Sequence, residues 1–86
     1  MSERAYVLIS AVEGKVHEIL AVLSNSPGIV TVDHVDGPPD VIIIVEADDR
    51  LKLARLVINA LHTIENMTDD MYCLPINRGN GNQLMN

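Results

Sequence analysis

Few residues in this chain are of types that do chemistry, and their spacing restricts what they can do. The three histidines, His17, His34 and His62, belong to no recognisable zinc-type ligand set and read as helix- or strand-surface residues. Cys73 is the one cysteine and sits in an apolar stretch with no base nearby in sequence. That setting suits a buried, inert thiol better than a nucleophile, which needs electropositive surroundings. Ser10, Ser24 and Ser26 lack the Gly-x-Ser-x-Gly context of a nucleophile elbow. Gly79-Asn80-Gly81 lacks the lysine and following helix of a phosphate loop. No catalytic constellation, metal site or cofactor motif emerges, and the chain reads as a non-enzyme.

The carboxylates are more informative. Glu46-Ala47-Asp48-Asp49 stands where a strand feeds a helix, so capping and the helix dipole account for it. Asp69-Asp70 opens the last strand, where adjacent carboxylates repel and aspartate is a poor strand former. A loop or bulge before Met71 is one reading; a contact with the amino group of a ligand is the other. Asp36-Gly37-Pro38-Pro39-Asp40 is a short loop stiffened by two prolines and bracketed by two acids. It reads either as a rigid hairpin turn or as a preorganised rim for a small polar ligand.

The elements that must hold these residues follow from hydrophobic periodicity. Arg4–Val12 is almost continuously apolar and rich in strand formers, a strand with two apolar faces. After Gly14 the period changes: Val16, Ile19, Leu20 and Leu23 form one helical stripe, which Ser24–Gly28 ends. Ile29–Asp36 is a second strand, Gly37-Pro38-Pro39 a turn, and Val41–Ala47 a third strand with five β-branched residues in a row. Asp48 or Asp49 caps a second helix with the stripe Leu53, Leu56, Val57, Ala60, Leu61 and Ile64, and Asn66 is expected to end it in a left-handed conformation. A last strand covers Met67–Asn77. Residues 1–78 thus make one domain, and 79–86 read as a polar tail expected to be disordered.

This order, βαββαβ, is that of an α+β, ferredoxin-like fold: a four-stranded antiparallel sheet with two helices on one face. The other face is left bare. Yet strand parity makes both faces apolar: Ala5, Val7 and Ile9 oppose Tyr6 and Leu8, and Val41, Ile43 and Val45 oppose Ile42 and Ile44. In the last strand Tyr72, Leu74 and Ile76 oppose Met71, Cys73 and Pro75. A bare apolar face implies a partner, and a second copy of the chain is the expected one, with Tyr6, Leu8, Ile42 and Ile44 at the dimer interface.

Composition agrees. At 86 residues a monomer is marginal, and a single cysteine excludes an internal disulfide, leaving oligomerisation as the support. A net charge of −6, scattered basic residues and two tyrosines as the only aromatics argue against direct nucleic-acid binding. No apolar run exceeds five residues, far short of the ~20 of a membrane span, and no secretory leader is apparent, so a cytoplasmic protein is expected.

The motifs Ala5-Tyr6-Val7-Leu8-Ile9, Gly14-Lys15, Pro27-Gly28-Ile29-Val30, Val35-Asp36-Gly37 with Asp40, Val45-Glu46-Ala47-Asp48-Asp49, Met67-Thr68 and Tyr72-Cys73-Leu74-Pro75-Ile76 together resemble the effector-binding (RAM) domain of the leucine-responsive/asparagine regulator (Lrp/AsnC) family. The resemblance covers residues 4 to 77. It implies a ferredoxin-like domain that dimerises through its sheets, assembles further into octamers of four dimers, and binds amino acids between subunits. Full-length relatives carry a preceding helix-turn-helix domain. This chain begins a few residues before its first strand, so the resemblance implies a stand-alone form that acts on transcription indirectly, by co-assembly with full-length Lrp/AsnC regulators. Gly37, Pro38, Pro39 and Asp40 match the family's Gly-x-Tyr-Asp turn, with Pro39 in place of the tyrosine, and Thr68 and Asp70 match positions near the effector cleft. Two other functions stay open. One is a purely structural oligomerisation module that has lost the ligand; the other is a small ferredoxin-like dimeric monooxygenase or isomerase.

Overall fold

The computed structural model describes residues 2–76. Its elements are β1 (Glu3–Ala11), α1 (Val16–Ser24), β2 (Ile29–His34), β3 (Val41–Ala47), α2 (Arg50–Ile64), a 3-10 turn (Glu65–Met67) and β4 (Thr68–Ile76). The expected polar tail, 79–86, and the end of the expected last strand at Asn77 lie outside the described residues.

All strand pairs are antiparallel, in the order β2-β3-β1-β4. The fold is ferredoxin-like: each helix crosses over between strands that are not neighbours, and both pack on one face. That face supplies Ala5, Val7 and Ile9 from β1 and Val41, Ile43, Val45 and Ala47 from β3 to a single core. Ile19 and Leu23 of α1 and Leu53, Val57, Ala60 and Ile64 of α2 close it. The buried side chains among the described residues are all apolar. Each fully buried aliphatic residue of this kind is worth roughly 1.5–3 kcal/mol relative to exposure.

Local signals explain where the elements stop. Asp49 is the N-cap of α2; its carboxylate accepts from the Lys52 N–H at 2.8 Å. Gly28 has φ of +81° and lies against the Leu56 side chain, so the turn into β2 requires its backbone freedom, and a Cβ there would displace Leu56. One expectation fails here: Asn66 is not left-handed. Among the described residues only glycines have positive φ, and α2 instead tightens into the 3-10 turn that delivers Thr68 directly to β4.

Candidate functional site

The two segments with ligand-like chemistry meet at one end of the sheet, flanking the last residues of β1. On one side the 36–40 loop closes with the Val35 N–H donating to the Asp40 carbonyl at 2.8 Å, while the Asp40 N–H donates to the Ile9 carbonyl at 2.8 Å. The Asp40 carboxylate accepts from the Ala11 N–H at 2.9 Å. Asp40 is half-buried, as is Pro39, while Gly37 and Pro38 are exposed. Gly37 is folded against the Pro39 carbonyl, a contact that excludes any side chain there. Both Gly37–Pro38 and Pro38–Pro39 are cis.

On the other side, β4 begins. Thr68 pairs with Ala11 and Asp70 with Ser10, and the register slips between them, so Asp69 is the extra residue of a bulge. The bulge reading of Asp69-Asp70 therefore holds, and it leaves both carboxylates exposed. The Thr68 hydroxyl donates to the Glu65 carbonyl at 3.3 Å. Asp40 and Thr68 are thus both anchored around Ala11, one through its side chain and one through strand pairing. One Asp40 oxygen serves the fold; Asp70 is presented to solvent beside Ser10.

The bare face runs from this end across the sheet. Leu8, Ile42 and Ile44 are half-buried, and Tyr6, Tyr72 and Leu74 are 38%, 59% and 52% exposed. Register places them as neighbours: Tyr6 faces Ile44 and Leu74, and Leu8 faces Ile42 and Tyr72. At the far end Arg4 faces Glu46, and the guanidinium donates to the carboxylate at 2.8 Å. That hydrogen bond, with the Glu46 charge, raises the Arg4 pKa above its ordinary value. Glu46 is therefore a strand residue with a cross-strand partner and not part of the α2 cap, a correction to the reading of Glu46–Asp49 as one capping group.

One further residue departs from expectation. Cys73 is exposed, not buried. Parity places it on the helix side opposite Val7 as expected, but β4 is an edge strand and the helices do not close over it. What burial remains pushes its thiol pKa up, so the expected low reactivity has a physical basis in spite of the exposure. The histidines are all exposed, as expected of surface residues, and each has a neighbour. His17 on α1 meets His34 on β2 edge to face, with centroids 6.1 Å apart, and His62 lies 3.2 Å from Glu65 one turn on. Only the first needed the fold to be found; the second is an i, i+3 pair legible in the sequence. Among the described residues no group of three or more metal-ligating side chains is assembled.

The arrangement corresponds to a known domain. A family model of the Lrp/AsnC ligand-binding domain matches residues 4–69. The chain belongs to this family. Curated proteins give no sequence match. Among solved structures, this Lrp/AsnC domain is similar to FFRP-DM1, with a TM-score of 0.77 at 20% identity over 87% of this chain and 99% of that one. It is similar to protein PHS023 from Pyrococcus horikoshii, with a TM-score of 0.77 at 21% identity over 90% of both chains. It also matches the transcriptional regulator NMB0573 from Neisseria meningitidis, solved as an L-Met complex, with a TM-score of 0.67 at 14% identity. That match covers 87% of this chain and 49% of the regulator, so the Lrp/AsnC domain described here spans about half of that protein.

Proposed function

We propose that the chain is a non-enzymatic, amino-acid-responsive oligomerisation domain. Copies dimerise through the bare sheet face, centred on Tyr6, Leu8, Ile42 and Ile44, and the dimers assemble further, up to an octamer of four. An amino acid or related metabolite binds between subunits at the end of the sheet where Gly37, Pro38, Pro39 and Asp40 face Thr68 and Asp70 across β1. A ligand held between subunits stabilises the assembly that completes its site, and so shifts the balance among oligomers. Acting in the cytoplasm, the domain modulates transcription indirectly by joining full-length Lrp/AsnC regulators.

The observation that carries this reading is the continuous apolar strip of β1, β3 and β4 that no helix covers. The L-Met complex of NMB0573 supports the class of ligand. A second reading, a structural module without ligand, is favoured by the engagement of the Asp40 carboxylate with the Ala11 N–H and by Pro39 at the motif's tyrosine position. Light scattering coupled to size exclusion, with and without a mixture of the twenty amino acids, separates the two. A ligand-dependent mass supports sensing; a fixed oligomer indifferent to every amino acid supports the structural module. A stable monomer in all conditions overturns both.

A further inference from the structure

The helix side of the sheet carries a pair of groups that nothing so far has used. His34 is the last residue of β2 and pairs with Val41, whose side chain is fully buried beneath the helices. Cross-strand partners share a face, so His34 also stands on the helix side. His17 lies in the first turn of α1, and the short turn after that helix sends β2 back along it, which brings the end of the strand to the start of the helix. The two rings meet edge to face, with centroids 6.1 Å apart and planes at 79°. Both side chains are exposed, and neither has a hydrogen bond or ion pair among the described residues. His62, by contrast, has the Glu65 carboxylate 3.2 Å away.

Two imidazoles on separate elements can do what one surface histidine cannot, which is to chelate. Neutral imidazole is the commonest metal ligand among side chains, and each ring here keeps its nitrogens free of protein partners. A histidine nitrogen lies about 2.0–2.1 Å from bound zinc, so two rings on one tetrahedral ion have centroids about 5 Å apart. The observed 6.1 Å exceeds that separation by a margin that two exposed side chains close by rotation, with no change in the backbone. The crossed planes are no obstacle, because each ring turns freely about its bond to the ion. Charge also favours a cation: the chain carries a net charge of −6, and the ammonium group of Lys15, on the same turn as His17, is held by Glu18 at 3.1 Å. Imidazole suits zinc, nickel and copper, whereas magnesium and calcium take oxygen ligands. Two protein ligands are fewer than the three or four of catalytic and structural zinc sites, so water completes the shell and the ion exchanges.

We propose that His17 and His34 form a two-histidine chelate for a divalent transition-metal ion of the zinc, nickel or copper class. The ion ties the first turn of α1 to the end of β2, and so to the start of the loop that bears Asp36 and Asp40. The bare strip lies on the opposite face of the sheet, so the chelate stands whether or not the chain dimerises there or binds an amino acid.

Cys73 is the one competing thiol, and Cys73→Ser is therefore the background for the test. Ni²⁺ is the probe, followed by isothermal titration and by the rise in Tm, with Mg²⁺ as the control. The expected result is one Ni²⁺ per chain, a Tm that rises with Ni²⁺ and no response to Mg²⁺ at the same concentration. His17→Ala and His34→Ala should each weaken Ni²⁺ binding at least ten-fold, and His62→Ala less than two-fold. All three residues are exposed, so the folded far-ultraviolet circular dichroism should persist in each variant. The deciding readout is the double variant. A chelate is lost once, so replacing both histidines should weaken binding no more than about two-fold beyond either single change. Independent surface histidines would instead leave the affinity of the surviving ring unchanged in each single variant, and that outcome would overturn the proposal. So would a loss in His62→Ala equal to the other two, a Tm response that Mg²⁺ reproduces, or no Ni²⁺ binding below millimolar concentration.

Discussion

The two faces of the sheet are built from the same kinds of residue and have opposite fates. Val7, Ile9, Ile43 and Val45 have no accessible surface, whereas their immediate neighbours Tyr6, Leu8, Ile42 and Ile44 remain half-buried or exposed. Nothing in side-chain type distinguishes Ile43 from Ile42 or Ile44; the difference is one step of strand parity and the side on which the crossovers place the helices. Hydrophobicity along a strand therefore reports that a face is to be covered, and not by what. The helix face is covered within the chain. The bare face retains apolar area whose burial would contribute roughly 25 cal/mol per Å², which is the driving force available for assembly.

Adjacent isoleucines provide the most direct way to break this comparison. Ile43→Ala is expected to cost about 2–5 kcal/mol by leaving a cavity in the sealed core, a large share of the stability of so small a domain. Ile42→Ala, one residue away, is expected to cost less than about 1.5 kcal/mol in the monomeric state. Urea denaturation of both variants at low protein concentration measures the contrast, and equal losses would mean that the two faces are not different in kind. Next in size is Ile44→Asp on the bare face. It should leave the far-ultraviolet circular dichroism intact while lowering the mass seen by light scattering to that of a monomer, through at least a 100-fold weaker association. A variant that keeps its oligomeric mass would move the interface elsewhere.

Gly28→Ala sharpens the helix side. The new methyl group meets Leu56 at a positive φ, and a loss of about 1–3 kcal/mol in the same denaturation is expected, of which the backbone strain, about 1 kcal/mol, remains even where Leu56 swings clear. The smallest effect belongs to Asp49→Ala, which removes the α2 cap and should cost about 1 kcal/mol, with no change in oligomeric mass. A mass change from this substitution would couple the helix layer to assembly, contrary to the separation of the faces.

Much of this organisation was legible from local chemistry. The β3 boundaries, the α2 stripe and the Asp49 cap followed from β-branching, helical period and capping, because each depends on residues within a few positions of one another. The Asp69 bulge was open to reading for the same reason: a carboxylate pair disrupts regular pairing wherever the partner strand lies. Cys73 was misread because its burial depends on whether a distant helix extends over an edge strand, which no window of sequence records. Glu46 was placed in the third strand but grouped with the acids that precede α2, because its partner, Arg4, is 42 residues away. Asp40 was placed in the correct loop, but its hydrogen bond to Ala11 exists only because β1 and β3 lie side by side.

The sequence by itself determined the order of elements, the parity of each strand and the presence of two apolar sheet faces, since these follow from backbone periodicity and short-range sterics. The tertiary structure alone decided which apolar face is sealed, which carboxylates are engaged by the fold, and that the edge strand leaves Cys73 exposed. Those outcomes depend on contacts between residues tens of positions apart, where strand order and the side of each crossover, not local propensity, set the energy.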